Sequence, residues 1–556
     1  MTARALFNRL GALVLGVLLS LGCSSASSGD GDSQTNWLRS CGSDDGCNGM
    51  SCLCGVCTRP CSDVSACDGA PQASCVRADE AGAIALCGGS PPPAAGLCLP
   101  RCDQVTCARG QACVAGVCSP VPSESVAVTV DLDARHQDLV GFGASVAYGE
   151  GQITGHPQQT ELYRAIFNDL GLDVLRFRNR YSHVGDDDLT TAGELVAAGG
   201  AALGHLPTVF LSSWSPPTTL KANGALVCSG NVQTCTLSKT AAGAFDYGGF
   251  ADYWSSSLGA YAKVGLVPDY VGIQNNPNYI PSSAESLEAC KFLPVEGTVS
   301  VPVGLTKVSV SYPGLAEAQS AMLSAFAKLT VRPKMLAPET SDFGSVFDYA
   351  PSLDAARTDA LAHQLYGVNP GAVDLAALAA MGKLVNQYGR PVFVTEMQAD
   401  GFGTALLIHY ATVVEGASAY LQAALTGSVS GPLANTQALI GIDSLNFKRQ
   451  DPYHAMRHFA ARTDPGWTRV EAVVDETGLL VSAWLSPSGQ DLTLVLINAG
   501  SVELNARLQL PGTWPTSEVR RSVFSGIERS AALGALSPQG VIRMPPEAVV
   551  TVALSR

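Results

Sequence analysis

The chain has 556 residues, of which 46% are apolar and 15% charged, and its formal net charge is −14. This composition is typical of a folded protein with a sizeable core and excludes an intrinsically disordered chain. No dense cluster of Lys and Arg follows the amino terminus, so nucleic acid is excluded as a predicted partner, because phosphate binding needs a cationic surface.

Residues 1–23 have the features of a bacterial export signal. Arg4 and Arg9 precede a short apolar run that ends in Ser20-Leu-Gly-Cys23. The run is too short to be a stable membrane span. Its last four residues resemble a lipobox, which predicts a lipoprotein signal peptide, lipidation of Cys23 and an anchor in the outer membrane at the cell surface. Plain secretion with cleavage nearby is the alternative.

Residues 24–40 are rich in Ser, Gly and Asp, which predicts a flexible tether. Residues 41–118 then contain fourteen of the 18 cysteines of the chain. An even number of cysteines in an exported segment rich in Gly and Pro predicts a disulfide framework. Cys52-x-Cys54-x2-Cys57 also has the spacing of zinc ligands, but an oxidising compartment and the lack of a nearby His favour disulfides. We call residues 41–118 the disulfide module.

Residues 125–465 alternate between short apolar runs and helical stretches. Eight βα units over about 300 residues predict an α/β fold, the (β/α)8 TIM barrel. The predicted strands are 139–144, 173–178, 207–214, 270–274, 334–339, 360–366, 391–396 and 419–425.

From residue 466 to residue 556 the pattern changes to short β-branched or alternating runs between turns rich in Gly, Pro and Ser. It predicts a C-terminal β-sandwich. The alternating run 126–132 precedes the barrel strands and would otherwise lack a sheet, so we expect it to join this sandwich. The predicted strands of the sandwich itself are 479–484, 492–498, 506–510 and 549–554.

Two strand ends carry candidate catalytic positions, because side chains at the carboxyl ends of barrel strands face the substrate. Glu396 ends the apolar run 391–396, and Asn276 follows the run 270–274. The two residues are 120 positions apart, the length of three average barrel units, which assigns them to the fourth and seventh strands. For Glu396 taken alone, the alternative is a surface salt bridge at a strand end.

Ordered motifs follow the predicted strands along the whole barrel. They are Phe142-Gly-Ala-Ser145, Leu175-Arg-Phe-Arg-Asn179, Ser212-Ser-Trp-Ser-Pro-Pro217, Gln274-Asn-Asn-Pro-Asn278, Ala337-Pro-Glu339, His363-Gln-Leu-Tyr-Gly367 and Val394-Thr-Glu396. Together they resemble glycoside hydrolase family 30, within the large clan of retaining β-glycosidase barrels. The resemblance implies a secreted or surface glycosyl hydrolase that acts on β-linked carbohydrate such as xylan, β-1,6-glucan, β-galactosides or glucosylceramide. It implies no cofactor and no metal.

The resemblance also implies residue roles. Glu396 would be the nucleophile, Asn275 would hydrogen-bond the sugar 2-hydroxyl, and Arg176 would lie under the nucleophile and favour its ionised form. Three further residues would contact the sugar: Trp214, His363 and Tyr366. The alternatives are a core ion pair for Arg176, packing for Trp214 and a satisfied core histidine for His363.

The chain departs from the family at the position of the catalytic acid/base. The family motif reads Gln-Asn-Glu-Pro-Asp, whereas Asn276 and Asn278 replace both acids here. An amide neither gives a proton to a leaving group nor takes one from water, and general acid–base help is worth about 10²–10⁴-fold. Three interpretations stay open. In the first, another acid replaces the missing one, with Glu339 preferred over Glu150 and Glu285. In the second, the protein is a pseudoenzyme that binds glycans without cleaving them. In the third, the reaction is altered, for example to glycosyl transfer to a strong nucleophile.

Three cysteines lie within the predicted barrel. Cys228 and Cys235 flank a short loop after the third strand and are a candidate disulfide. Cys290, in the loop after the fourth strand, is predicted to be a buried and inert thiol, because no His partner or helix amino terminus is evident beside it.

Overall fold

The computed structural model describes residues 38, 44–47, 50–68, 73–107, 111–120, 125–429, 434–476 and 478–556. The predicted signal peptide, the lipidation site Cys23 and all of the predicted tether except Leu38 lie outside the described residues. Within the described part, no helix combines the length and apolarity that crossing a membrane requires.

Eight parallel strands close into a barrel. Each overlaps a run predicted as a strand, so the predicted barrel is confirmed. Because helices cover the outside and side chains fill the inside, the strands are buried on both faces, which explains their continuous apolar sequences. The strands are Gly141–Ser145, Val174–Arg178, Thr208–Ser212, Tyr270–Gly272, Lys334–Thr340, Ala360–Gln364, Val392–Met397 and Ala419–Gln422.

Helices connect the barrel strands and cover their outer face. Two of them begin at aspartate caps, where Asp246 and Asp400 accept hydrogen bonds from the backbone N–H groups of Gly249 and Gly403. The α-helices of this region are Glu150–Thr154, Gln159–Tyr163, Thr190–Leu203, Tyr247–Lys263, Leu315–Phe326, Val346–Tyr349, Leu375–Tyr388, Gly401–His409 and Asp451–Ala460. π-Helical turns at Arg164–Asp169 and Tyr410–Glu415 extend two of them.

The loops at the carboxyl end of the barrel contain small sheets that the sequence did not predict. Val227–Cys228 pairs with Leu287–Glu288 and thereby joins the loop after the third strand to the loop after the fourth. The other additions are a hairpin, Gly297–Val303 with Thr306–Tyr312, and a three-stranded sheet, Thr426–Ser428, Ile440–Ile442 and Phe447–Arg449.

The three barrel cysteines lie close to this loop connection. Cys228 and Cys235 form a disulfide, as the sequence suggested. Cys290 is a free and buried thiol, and burial raises its pKa to about 11. A thiol with so high a pKa holds its proton at neutral pH, which fits an inert residue.

The C-terminal sheet domain contains one mixed sheet of nine strands. Apolar side chains from all nine strands contribute to one core cluster, as in the predicted β-sandwich. The long strand Val126–Asp138 belongs to this sheet rather than to the barrel, and it runs parallel to Leu504–Gln509. In spatial order the strands are Ala531–Gly534, Thr516–Val523, Ala548–Ser555, Asp491–Asn498, Leu479–Leu485, Thr468–Val474, Val126–Asp138, Leu504–Gln509 and Val541–Met544.

The described part of the disulfide module contains three hairpins, the α-helix Ala81–Leu86 and 3-10 turns at Asp44–Cys47 and Val64–Cys67. Its hairpins are Ser51–Leu53 with Val56–Thr58, Ala73–Arg77 with Gly96–Pro100, and Gln111–Val114 with Val117–Pro120. Disulfides between described residues join Cys47 to Cys57, Cys54 to Cys87, Cys61 to Cys75, Cys67 to Cys98, Cys102 to Cys113 and Cys107 to Cys118.

The disulfide module packs directly on the C-terminal sheet domain. Arg521 and Arg543 donate to the carbonyl oxygens of Ala85 and Leu86, the last two residues of the module's helix. Cationic groups favour this end of a helix, where carbonyl groups lack partners within the helix. The side chain of Ala85 is part of the core cluster of the sheet domain.

Candidate active site

Arg176 holds together the carboxyl end of the barrel. It lies in the second strand, Val174–Arg178, and its side chain is fully buried. The guanidinium donates to Glu339 Oε1 from Nη2 at 2.8 Å and from Nε at 3.1 Å. It also donates to Glu396 Oε2 at 2.9 Å and to Asn275 Oδ1 at 2.7 Å. Residues from strands two, four, five and seven are therefore fixed by one buried cation.

Glu396 is held firmly but remains open to the cleft. Besides Arg176, Gln364 Nε2 donates to its Oε2 at 3.0 Å and the Tyr366 hydroxyl donates to its Oε1 at 2.8 Å. Burial, and next the nearby Glu396, raises the pKa of Tyr366, so its hydroxyl keeps its proton and acts as a donor. The Glu396 side chain is 13% exposed. A carboxylate that is fixed by three donors and still accessible has the geometry of a nucleophile.

Asn275 has its amide orientation fixed by two donors. Its Oδ1 accepts from Arg176 and, at 2.7 Å, from Gln364 Nε2. The opposite atom, Nδ2, has no hydrogen-bond partner among the described residues and is available to donate to a ligand. Beside it, the Trp214 ring lies over Arg176, with 4.2 Å between the guanidinium carbon and the ring centroid, and this cation–π contact fixes the ring.

Asn276 follows directly, with a left-handed backbone at φ +50°. Asparagine tolerates this conformation better than most residues. Its backbone N–H donates to the carbonyl oxygen of Glu339 at 3.0 Å, and its Oδ1 is buried without a hydrogen-bond partner among the described residues. The position thus offers an amide and no proton-donating acid.

Asn278, the second amide of this motif, is fully used in local contacts. Its Nδ2 donates to Asp342 Oδ2 at 2.8 Å and to the hydroxyls of Ser341 and Ser345 at 3.0 Å each. An aspartate at position 278 would present a second carboxylate to Asp342. The amide therefore suits the loop that it contacts after the fifth strand.

Glu339, the predicted substitute acid, lies beneath the cleft and not in it. Its side chain is fully buried, and its Oε1 accepts from the Ser212 hydroxyl at 2.9 Å as well as from Arg176. Burial raises the pKa of Glu339, and Arg176 opposes that effect. A Cβ on Gly272 would lie 1.9 Å from Glu339 Oε2, so the carboxylate occupies space that only glycine leaves free. In the described conformation Glu339 supports Arg176 and has no access to a substrate.

His363 does not belong to the group around Glu396. Its ring is fully buried, with Nε2 bonded to the Glu415 carboxylate and Nδ1 to the backbone oxygen of Gln364 at 3.0 Å. Burial lowers the pKa of His363, but Glu415 outweighs burial and the pKa is raised. This position in the barrel wall excludes the predicted sugar contact in the described conformation and agrees with the alternative of a core histidine.

The sequence did not single out Gln364, Ser212 or Gly272 as site residues. Gln364 bridges Glu396 and Asn275, Ser212 donates to Glu339, and Gly272 makes room for that carboxylate. Gln364 and Ser212 do lie in motifs that carry the family resemblance, and each is a polar residue at the end of a mainly apolar strand. Such a signal does not say whether the side chain contacts a ligand or another site residue.

Comparisons with known proteins establish a shared fold. No family model matches the chain, and no curated protein matches it. A glycoside hydrolase family 30 subfamily 8 xylanase from Clostridium acetobutylicum has 20% sequence identity and a TM-score of 0.57, covering 77% of this chain and 99% of that chain. The catalytic domain of GH30 xylanase C from Talaromyces cellulolyticus has 17% identity and a TM-score of 0.60, covering 77% and 100%. An endo-β1,6-glucanase has 13% identity and a TM-score of 0.56, covering 78% and 94%.

Proposed function

We propose that this protein is a glycosyl hydrolase of the family 30 type that acts on β-linked glycans by the retaining route. Glu396 is the nucleophile, and position 276 supplies no acid. The observation that carries the proposal is the Glu396 carboxylate, which three donors hold at the open end of a closed barrel while 13% of the side chain stays exposed. The shared fold with family 30 xylanases supports the same class of reaction.

In the first step, a Glu396 oxygen attacks the anomeric carbon while the bond from that carbon to the leaving oxygen breaks, which gives a glycosyl ester. Esterification removes the negative charge of Glu396. Arg176 is not left unpaired by this change, because Glu339 still accepts two of its hydrogen bonds. Asn275 Nδ2 is free to donate to a sugar hydroxyl throughout.

The missing acid determines which substrates react. The leaving oxygen of a natural glycan needs a proton, and Asn276 has none to give. An activated phenolate leaves as an anion without that proton. In the second step water needs a base, whereas azide is already an anionic nucleophile and needs none. We therefore expect this site to turn over activated substrates in the presence of azide.

The decisive experiment assays activated aryl β-glycosides with and without azide. We expect azide to accelerate turnover and to yield a glycosyl azide of retained configuration, and we expect Glu396→Gln to lower the rate by roughly 10³-fold or more. Asn276→Glu should raise the rate on natural glycans by about 10²–10⁴-fold. Asn276→Gln is the matched control, because it adds the same length without an acid. Turnover that survives in Glu396→Gln would contradict the proposal.

The second candidate is a glycan-binding protein without catalytic activity. It is favoured by the amide at position 276 together with the burial of Glu339, the preferred substitute acid. The same assay separates the two candidates. Glycan binding without turnover of any aryl glycoside, with or without azide, would support this second function and exclude the first.

We further propose that the protein is exported and anchored in the outer membrane through Cys23. The disulfides of the described residues support an oxidising compartment, since such bonds are rare in the bacterial cytoplasm. The anchor itself rests on the sequence motif alone. Cys23→Ser should abolish labelling by a palmitate analogue and move the protein out of the membrane fraction, whereas unchanged labelling would exclude lipidation at this residue.

A further inference from the structure

A second group of side chains lies at the same end of the barrel as Glu396. Its members are Tyr148, Arg178 and Glu288, which we call the rim group. We propose that the rim group is a subsite for a neutral sugar unit of the glycan, distinct from the sugar that Glu396 attacks. This inference rests on the proposed function and specifies the class of glycan that the cleft accepts.

The rim group comes from three different loops and strands that meet at this end. Tyr148 follows the first barrel strand, and Arg178 ends the second strand, two residues beyond Arg176. Alternation along a strand therefore places Arg178 on the same side as Arg176 but nearer the rim. Glu288 lies in the loop after the fourth strand, which returns to the catalytic motif where Phe292 N–H donates to the Pro277 oxygen at 3.0 Å.

Tyr148 provides an aromatic surface. Its side chain is 60% exposed, and the Arg178 guanidinium carbon lies 4.4 Å from its ring centroid. Desolvation first, and then Glu288, raises the pKa of Tyr148, and Glu396 adds to the effect. Its position just after the first barrel strand, in contact with Arg178 at the end of the second, places this exposed ring at the same end of the barrel as Glu396. Stacking against a sugar ring is a common use of such an aromatic side chain.

Glu288 provides a hydrogen-bond acceptor. Its Oε1 accepts from Arg178 Nη1 at 2.6 Å, whereas its Oε2 has no hydrogen-bond partner among the described residues. The side chain is 11% exposed, and burial raises the pKa of Glu288. Oε2 is buried and lacks a donor, which costs free energy, so a shift of this side chain towards the cleft would let a sugar hydroxyl provide the missing donor.

The charges around the rim group select a neutral ligand. Arg178 is paired with both Glu288 and Asp186. Arg180 lies near Asp186 as well but is itself paired with Glu150. Lys221 also lies near Glu288 and opposes the rise in the pKa of that carboxylate. Among the described residues, three cations therefore face three carboxylates, and no cation is left over to pair with a uronic acid or a sulfated sugar. The hydroxyl groups of a neutral pentose or hexose need no such partner.

Equilibrium binding tests the subsite independently of turnover. Glu396→Gln serves as the parent protein, and the probes are neutral β-1,4-xylotetraose, neutral β-1,6-glucotetraose and a xylo-oligosaccharide with a glucuronic acid branch. We expect at least one neutral probe to bind more tightly than the acidic one. In the parent background, Tyr148→Ala and Glu288→Gln should each weaken that binding by about tenfold.

Two matched variants act as controls. Tyr148→Phe keeps the ring and should keep most of the affinity. Glu161→Gln changes an exposed carboxylate on an outer helix and should change nothing. Three results would each overturn the subsite. They are an unchanged affinity, relative to the parent, in both Tyr148→Ala and Glu288→Gln, tighter binding of the acidic probe, and no binding of any probe. If the wild-type protein does not turn over aryl glycosides, the proposed function is wrong. The subsite is then still decided by the binding measurement alone.

Discussion

Arg176 in the barrel and Arg521 in the C-terminal sheet domain are both fully buried, and each is paired with a glutamate. Arg521 donates to the two oxygens of Glu528 at 2.6 and 3.1 Å and to the backbone carbonyl oxygens of Arg543 and Ala85. Arg176 instead holds two carboxylates, Glu339 and Glu396, and one of them is open to the cleft.

This difference distinguishes an arginine in a structural ion pair from an arginine in the candidate active site. Around Arg521 one cation meets one carboxylate, so the charges balance inside closed packing. Around Arg176 two carboxylates share one cation, and an unpartnered amide nitrogen of Asn275 lies beside them. Excess negative charge and unused donors therefore mark the functional arginine, whereas burial alone does not distinguish the two.

Substitution of Arg176 should have the largest effect, because it removes both stability and activity. Arg176→Ala leaves Glu339 buried without its cation, which costs about 3–5 kcal/mol in the free energy of unfolding. Arg176→Lys is the matched variant. It keeps the charge, but one ammonium group cannot hold two carboxylates in the same geometry, so we expect kcat/KM on aryl glycosides to fall by about 10²-fold with a smaller loss of stability. Full activity in Arg176→Lys would contradict the role given to the guanidinium.

Substitution of Arg521 should affect stability alone. Arg521→Ala leaves Glu528 buried and unpaired and should lower the free energy of unfolding by about 3–5 kcal/mol. Activity per folded molecule should not change. The double substitution Arg521→Met with Glu528→Leu removes both charges and should recover most of the stability in denaturant titrations. Reduced activity of folded Arg521→Ala would contradict this assignment, because it would show that Arg521 contributes to catalysis as well as to stability.

Gly272→Ala should have a smaller effect on both quantities. The new Cβ would lie 1.9 Å from Glu339 Oε2 and 2.5 Å from Ser212 Oγ, so both side chains must move, and Arg176 with them. We expect a loss of about 1–3 kcal/mol in stability, together with reduced activity. Gly259→Ala in the exposed part of a helix meets nothing within 4 Å and is the matched control. It should stabilise the protein by about 0.5–1 kcal/mol, as measured by thermal and denaturant unfolding.

The barrel was predictable because its strands are short apolar runs that end in polar residues and alternate with helical stretches. Four strands of the C-terminal sheet domain were not predicted. In Thr516–Val523 the sequence reads as polar, since Arg520 and Arg521 interrupt the apolar residues, and only the fold shows that Glu518 and Glu528 pair with them. Charge pairing between distant residues conceals a buried strand from a search for apolar periodicity.

The candidate site was predictable in part for the same reason. Glu396 lies near the carboxyl end of the seventh strand and Arg176 in the middle of the second, and both positions follow from the barrel. His363 is different, because its partner Glu415 is 52 residues away on a π-helical turn, and the sequence does not indicate that pairing. The burial of Glu339 likewise depends on an irregularity in the pairing of the fifth and sixth strands next to Pro338, which redirects the side chain.

The packing of the disulfide module bears on how the protein avoids self-association. One of the two edge strands of the nine-stranded sheet, Ala531–Gly534, would present free backbone groups to a second chain, and such an edge is a template for aggregation. The turn of the module's last hairpin covers part of it, because the Ala115 N–H donates to the Leu533 oxygen at 3.0 Å. Disulfides hold that hairpin in shape. Oxidation of the module thus fixes a cover over one edge of a sheet that contains no disulfide of its own.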